Sequence, residues 1–265
     1  MSKKKTTNHG FAESNEDFRM RSLTGRVNQE LLGLYEIWWR KFGDSLLKEG
    51  GLGGWKTAMP VFLAADEYRH RLSLFNVMLI EGSGSNGCNS KRGLNIENPS
   101  PLTLMQYYIE HGCSLDQYFN SFKERFEEMI KHELADSVYI QVNTVNKLPR
   151  RFSDDYISVH NYLKSKGSNL LLSELQVLDP DAIIILGQNV NCDAVLLDTL
   201  GNYTVINVPE TDRIRRLVVS GSDIPIVQIP NAMFLELMNM TDSVLAYLKE
   251  FIIDQMRIRM SGFDS

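Results

Sequence analysis

The chain has 265 residues, 43% of them hydrophobic, which is ordinary for a globular protein and enough for one large core or two small ones. A formal net charge of -5 excludes a protein that coats nucleic acid through bulk electrostatics, so a DNA or nucleotide contact must use local patches. Cys88, Cys113 and Cys192 are odd in number and far apart, which argues against a disulfide framework or a zinc knuckle and for a reducing, cytoplasmic setting with no metal or cofactor, and no run approaches the roughly 18 apolar residues of a membrane span.

Residues 1–16 are polar and read as a flexible tail, leaving 17–265 as a single domain. From Val27, the residues Leu31, Leu34, Tyr35, Trp38, Phe42 and Leu46 recur at three and four, the stripe of an amphipathic helix that ends at Gly50-Gly51. A strand-length apolar run follows at Phe75 to Ile80. Ser100-Pro101 then caps a helix closed by Gly112, and Ser114 with Gln117 forms a capping box before the face Leu115, Tyr118, Phe119, Phe122, Phe126, Met129 and Ile130.

Further strand-length runs lie at Val138 to Val142, Ala182 to Leu186 and Ile224 to Ile229, with a weaker one at Tyr203 to Val208. Helices are expected at Leu170 to Leu178, at Ala194 to Leu200, and from about Ala232 to Arg259. The runs do not alternate strictly, which suits strands buried on both faces. The order α, β, αα, β, α, β, α, β, α predicts an α/β fold, a three-layer α/β/α sandwich with a mainly parallel four-stranded sheet.

In such a sheet ligands bind beyond the carboxyl ends of the strands. After Ile80 come Glu81, Gly82, Ser83, Gly84, Ser85, Asn86, Gly87 and Cys88, a stretch rich in backbone donors that suits a phosphate or a base edge, or else a solvated loop. It fits neither the P-loop nor the dinucleotide fingerprint. Asn143 and Asn146 follow the second run, Gly187 to Asn189 the third, and Pro230-Asn231 the last. An amide offers both a donor and an acceptor to a nucleobase, although Asn231 also has the position of a helix N-cap.

These phrases together resemble the uracil-DNA glycosylase superfamily, particularly a bacterial branch whose first motif reads approximately G-Q-E-T-N-G-W, matched by Gly82-Ser83-Gly84-Ser85-Asn86-Gly87-Cys88. Val142-Asn143-Thr144-Val145-Asn146-Lys147 is similar to W-N-N-x-x-K, and the stretch from Glu174 to Gly187 to E-x-x-x-L-x-P-D-x-I-I-x-L-G. Ile229-Pro230-Asn231 stands where the family has H-P-S or H-P-N. The resemblance implies a pocket that holds an extruded base, an acid or amide that positions water, and a histidine that stabilises the departing base. Here Gly84 and Ile229 occupy those two positions, and neither can activate water or donate to an anion. Glu81, three residues before Gly84, is the one substitute general base the sequence offers.

Two basic groups lie near strand ends, Lys147 with Arg150 and Arg151, and Arg213 with Arg215 and Arg216. On a shared rim they make a phosphate track; otherwise they are solvated loops. His9, His70, His111, His132 and His160 read as tail, surface or capping residues. Two functions remain open: a glycosylase-like protein that recognises a nucleobase or DNA, with excision in doubt, and a non-enzymatic module on the same fold that binds a nucleotide, DNA or protein.

Overall fold

The computed structural model describes residues 23–48, 52, 59–82, 98–111, 117–145, 147–148, 156–209 and 211–261. The polar tail, the Ser114 capping residue, Ser83 to Asn86, Asn146, Arg150 and Arg151 lie outside these residues. In chain order the elements are α1 (Arg26–Leu47), α2 (Glu67–Leu72), β1 (Phe75–Glu81), α3 (Pro101–His111), α4 (Gln117–Leu134), β2 (Val138–Thr144), α5 (Tyr156–Ser165), α6 (Leu170–Leu178), β3 (Ala182–Leu186), α7 (Val190–Leu200), β4 (Tyr203–Val208), β5 (Thr211–Val219), β6 (Ile226–Ile229), α8 (Ala232–Leu237) and α9 (Thr241–Ser261).

The strands form one mixed sheet of six in the order β2-β1-β3-β6-β5-β4. Its first four members are mutually parallel. Period-two alternation sends neighbouring side chains to opposite faces. Met78, Ile80, Ile183, Ile185, Leu217 and Ile226 meet α1, α3, α5, α6 and α7. Val77, Leu79, Ala182, Ile184, Val227 and Ile229 meet α4, α8 and α9. Burial on both faces explains why β1 and β3 read as unbroken apolar runs.

The four-stranded expectation is corrected by the hairpin β4–β5, which extends the sheet antiparallel to β6. Residues 211–219, read from sequence as a basic connection, are a nine-residue strand. Its buried residues are few, Leu217 and Val219 on one face and Ile214 on the other, and the arginines between them break the apolar run that marks the strands nearer the centre of the sheet. His160 lies in helix α5 and not in a loop, since Val159 and Leu163 are buried one turn apart. The final helix is two: Asn239 takes a left-handed φ of 52°, which asparagine tolerates, and α9 starts anew at Thr241.

Local chemistry sets the helix starts. The Ser100 hydroxyl accepts from the Thr103 N–H at 3.2 Å, capping α3. Asn28 on α1 exchanges two hydrogen bonds of 2.8 Å with the backbone of Ala65, fixing the segment that leads to β1. Among the described residues no helix is long and apolar enough to cross a membrane.

Candidate functional site

The chain leaves β1 for β2 on one side and later returns to place β3 on the other, so the crevice expected of an open α/β sheet lies at the carboxyl ends of β1 and β3. Gly82, Gly187 and Pro230 follow three strands that stand side by side. The Gly82 N–H donates to the Leu186 carbonyl at 2.8 Å, and the Gly187 N–H to the Ile229 carbonyl at 2.9 Å. The first and last of the quoted motifs therefore begin on one edge of the molecule.

Two glycines make that edge possible. A Cβ on Gly187 would sit 2.6 Å from the carbonyl carbon of Gly82, and Gly187 has a φ of +149°, a conformation that other residues rarely adopt. A Cβ on Gly82 would meet the Cys192 sulfur at 2.6 Å. Cys192 is itself sealed beneath the edge, and burial, with the charges of Asp193 and Glu81, pushes its thiol well above the ordinary range. It is no nucleophile in this state.

Asn143 and Lys147 turn inward. Lys147 Nζ lies 2.7 Å from Glu174 Oε2, in a pair whose side chains are 6% and 0% exposed. Asn143 bridges them, receiving Lys147 Nζ at 2.7 Å on Oδ1 and donating Nδ2 to Glu174 Oε2 at 3.1 Å. Tyr35 completes the cluster from α1, donating to Glu174 Oε1 at 2.7 Å and accepting the Leu63 N–H at 3.0 Å. Burial, with the Glu174 charge beside it, raises the Tyr35 hydroxyl well above its ordinary value. The phosphate role expected of Lys147 is thus corrected: its charge is spent on a buried carboxylate. Asn143 is likewise committed to that pair and not displayed to a base.

The remaining amides hold the edge together. Gln188 Nε2 donates to the carbonyls of Arg213, at 2.6 Å, and Gln228, at 3.2 Å. Asn189 Oδ1 caps α7 through the Cys192 N–H at 2.8 Å, and Asn231 Oδ1 caps α8 through the Phe234 N–H at 2.8 Å. The capping alternative for Asn231 is the one observed. Ile229, where the resemblance leads one to expect a histidine, is 0% exposed in the apolar layer beneath α8 and α9. Glu81 is 3% exposed at the end of β1, where Thr144 Oγ1 lies 3.4 Å from its Oε2.

The second arginine group is split by the alternation of β5. Arg215 faces α7, with a guanidinium nitrogen 3.9 Å from Asp193. Arg216 lies on the other face, donating to the Tyr247 hydroxyl at 3.1 Å. Arg213, two residues beyond the Arg215–Gln228 pairing, comes level with Pro230 and is exposed, its guanidinium 4.6 Å from the Phe234 ring centroid. Met233 and Val190 are exposed apolar side chains at the first turns of α8 and α7, on the same edge. Sequence reasoning missed both, because an isolated apolar residue at a helix start carries no periodic signal.

A second polar group lies apart from the crevice. His160 Nε2 is 3.1 Å from Asp198 Oδ2, and Lys164 pairs with the other oxygen of that carboxylate. Burial lowers the His160 pKa, against the opposing pull of Asp198. His160, Lys147 and Asn169 line a cavity of about 30 Å³, room for a water or two and far too little for a base.

Fold and edge together define an α/β protein with a mixed six-stranded sheet and a topological switch point between β1 and β3, where open sheets of this kind are expected to bind ligands. The chain matches no protein-family model and no curated protein. Among solved structures it is similar to a domain of unknown function from Bordetella bronchiseptica, crystallised with bound citrate as a domain-swapped dimer, at 13% identity and a TM-score of 0.30. That alignment covers 66% of this chain and spans 42% of the other, and a likeness of this size carries no argument.

Proposed function

We propose that the protein is a uracil-DNA glycosylase-like binder, which recognises a nucleobase or a DNA strand at the carboxyl edge of β1, β3 and β6 without excising the base through the family's usual groups. The observation that carries this reading is the character of the edge. It brings the starts of the first and last quoted motifs, Gly82 and Ile229, to one edge, yet Ile229 is fully buried where a departing base needs a donor. What the edge presents suits binding: an exposed guanidinium over an aromatic ring, for phosphate or a stacked base, and Met233, an exposed apolar group of the kind that intrudes between bases. An enzymatic reading survives in one group, Glu81, the carboxylate at the end of β1.

Single- and double-stranded oligonucleotides, with and without uracil or other modified bases, separate the two. Binding measured by fluorescence anisotropy is expected to weaken as salt rises and to fall several-fold, across all sequences, in Arg213→Ala. No alkali-sensitive abasic site is expected. Abasic product that disappears in Glu81→Gln would replace this reading with the enzymatic one, and absence of binding to every oligonucleotide would end the recognition reading.

A further inference from the structure

The two edges of the sheet are finished differently. β2 is buried along nearly its whole length, and its Val142 carbonyl accepts the Tyr108 hydroxyl at 2.8 Å. β4 is bare. Its four central residues, Thr204 to Asn207, are all exposed, and its one partner strand among the described residues is β5. A free edge offers a row of backbone N–H and C=O groups that only another extended strand satisfies in sequence. Natural edges are blunted with lysine, proline, inward charge or a bulge. From Tyr203 to Asn207 there is no charge and no proline, and the bulge comes only at Asn207/Val208.

We infer that β4 joins two copies of this chain, the two strands pairing antiparallel about a two-fold axis at Val205, so that two six-stranded sheets become one. A two-fold axis perpendicular to the sheet keeps each face on its own side, so each residue must oppose one of its own parity and the axis must pass through a residue. Centred on Val205, it sets Tyr203 against Asn207, Thr204 against Ile206 and Val205 against itself. No charge meets a like charge, which any pairing with a charged strand of this acidic chain would not guarantee.

One face gains directly. Met78, Ile183, Ile226, Leu217 and Val205 stand side by side across five strands, by the pairings of β1 with β3, β3 with β6, β6 with β5 and β5 with β4. The first four are buried, and the row runs out at Val205, 45% exposed on the open edge. The second copy continues the same row with its own Val205 and Leu217. On the other face Ile206, 49% exposed, loses water against the partner's Thr204. The surface lies at the far side of the sheet from β1, so this inference does not depend on the proposed function.

Sedimentation equilibrium of the full chain is expected to give twice the 30.3 kDa chain mass. Val205→Lys and Ile206→Lys, at positions that already face solvent, are expected to melt cooperatively as folded monomers and to weaken the dimer at least about a hundredfold, because each lysine is repeated across the axis. In the predicted register the Cα atoms of two copies of Val205→Cys lie about 5 Å apart, so diamide links them. Two copies of Thr204→Cys lie roughly 8 Å apart and stay unlinked. A wild-type chain that remains monomeric at about 100 μM would overturn the inference, whether its own remaining residues or another protein's strand covers β4. So would a dimer indifferent to both lysines, or equal cross-linking through residue 204.

Discussion

At the scale of single residues, three of the described side chains that carried the family resemblance have partners inside the protein. Asn143, Lys147 and Glu174 come from two separate phrases, and the fold closes them into one hydrogen-bonded cluster with Tyr35. A buried ion pair is a weak source of net stability but an expensive one to halve, because removing one partner leaves the other charge stranded. These residue types were legible in sequence; their direction was not, since a strand-end amide has the same letters whether it faces a ligand or a carboxylate. His160 shows the same limit. Its partner Asp198 is 38 positions away on a different helix, and no spacing rule connects them. Because burial holds the folded-state pKa of His160 below its ordinary value, the unfolded chain binds the extra proton more readily. The stability tied to the neutral ring is therefore complete above pH about 6.5 and is lost as pH falls through the folded-state value. Asp198 shifts in the same direction, its burial outweighed by hydrogen bonds from Lys164 and His160, but it acts below the ordinary carboxylate range and leaves the window from pH about 5.5 to about 7.5 to the histidine. The melting temperature of the wild type is expected to drop across that window by more than that of His160→Gln; equal drops would show that the ring carries no such linkage.

At the scale of elements, helices and buried strands were legible where one period persisted. The α1 stripe places Leu31, Tyr35, Trp38, Phe42 and Leu46 in the core as the spacing requires. β5 was not legible, because three arginines occupy a strand whose buried positions are few. Read as a connection, it gathers Arg213, Arg215 and Arg216 on one rim; as a strand, it sends Arg216 to the opposite face. The joints between elements matter as much as their faces. Gly187 lies between β3 and α7 with its backbone against Gly82, so any side chain there meets backbone and not a yielding side chain. Gly187→Ala is expected to cost at least about 1–3 kcal/mol in urea unfolding, from the strained φ and the contact together. A loss no larger than that of an alanine at Gly167, where the surrounding space is open despite a positive φ, would show that the close approach of the two strand ends is unimportant.

At the scale of the whole molecule, one sheet serves two apolar layers, and alternate residues of the same strands belong to each. Neither layer can be lost while the other keeps its floor. Leu31→Ala in the α1 layer and Leu248→Ala in the α9 layer remove wholly buried side chains, each expected to cost about 2–5 kcal/mol. Both are expected to shift one common unfolding transition, followed by circular dichroism and by tryptophan fluorescence. Two separable transitions would divide the chain into independent units. The sequence by itself determined the α/β class, the main helices and four parallel strands, because hydrophobic period and turn chemistry are local properties of the chain. Only the tertiary structure decided which polar groups are spent on one another, where the arginines point, and that the sheet continues to an open sixth strand. Those outcomes depend on contacts between residues far apart in sequence, and no local pattern encodes them.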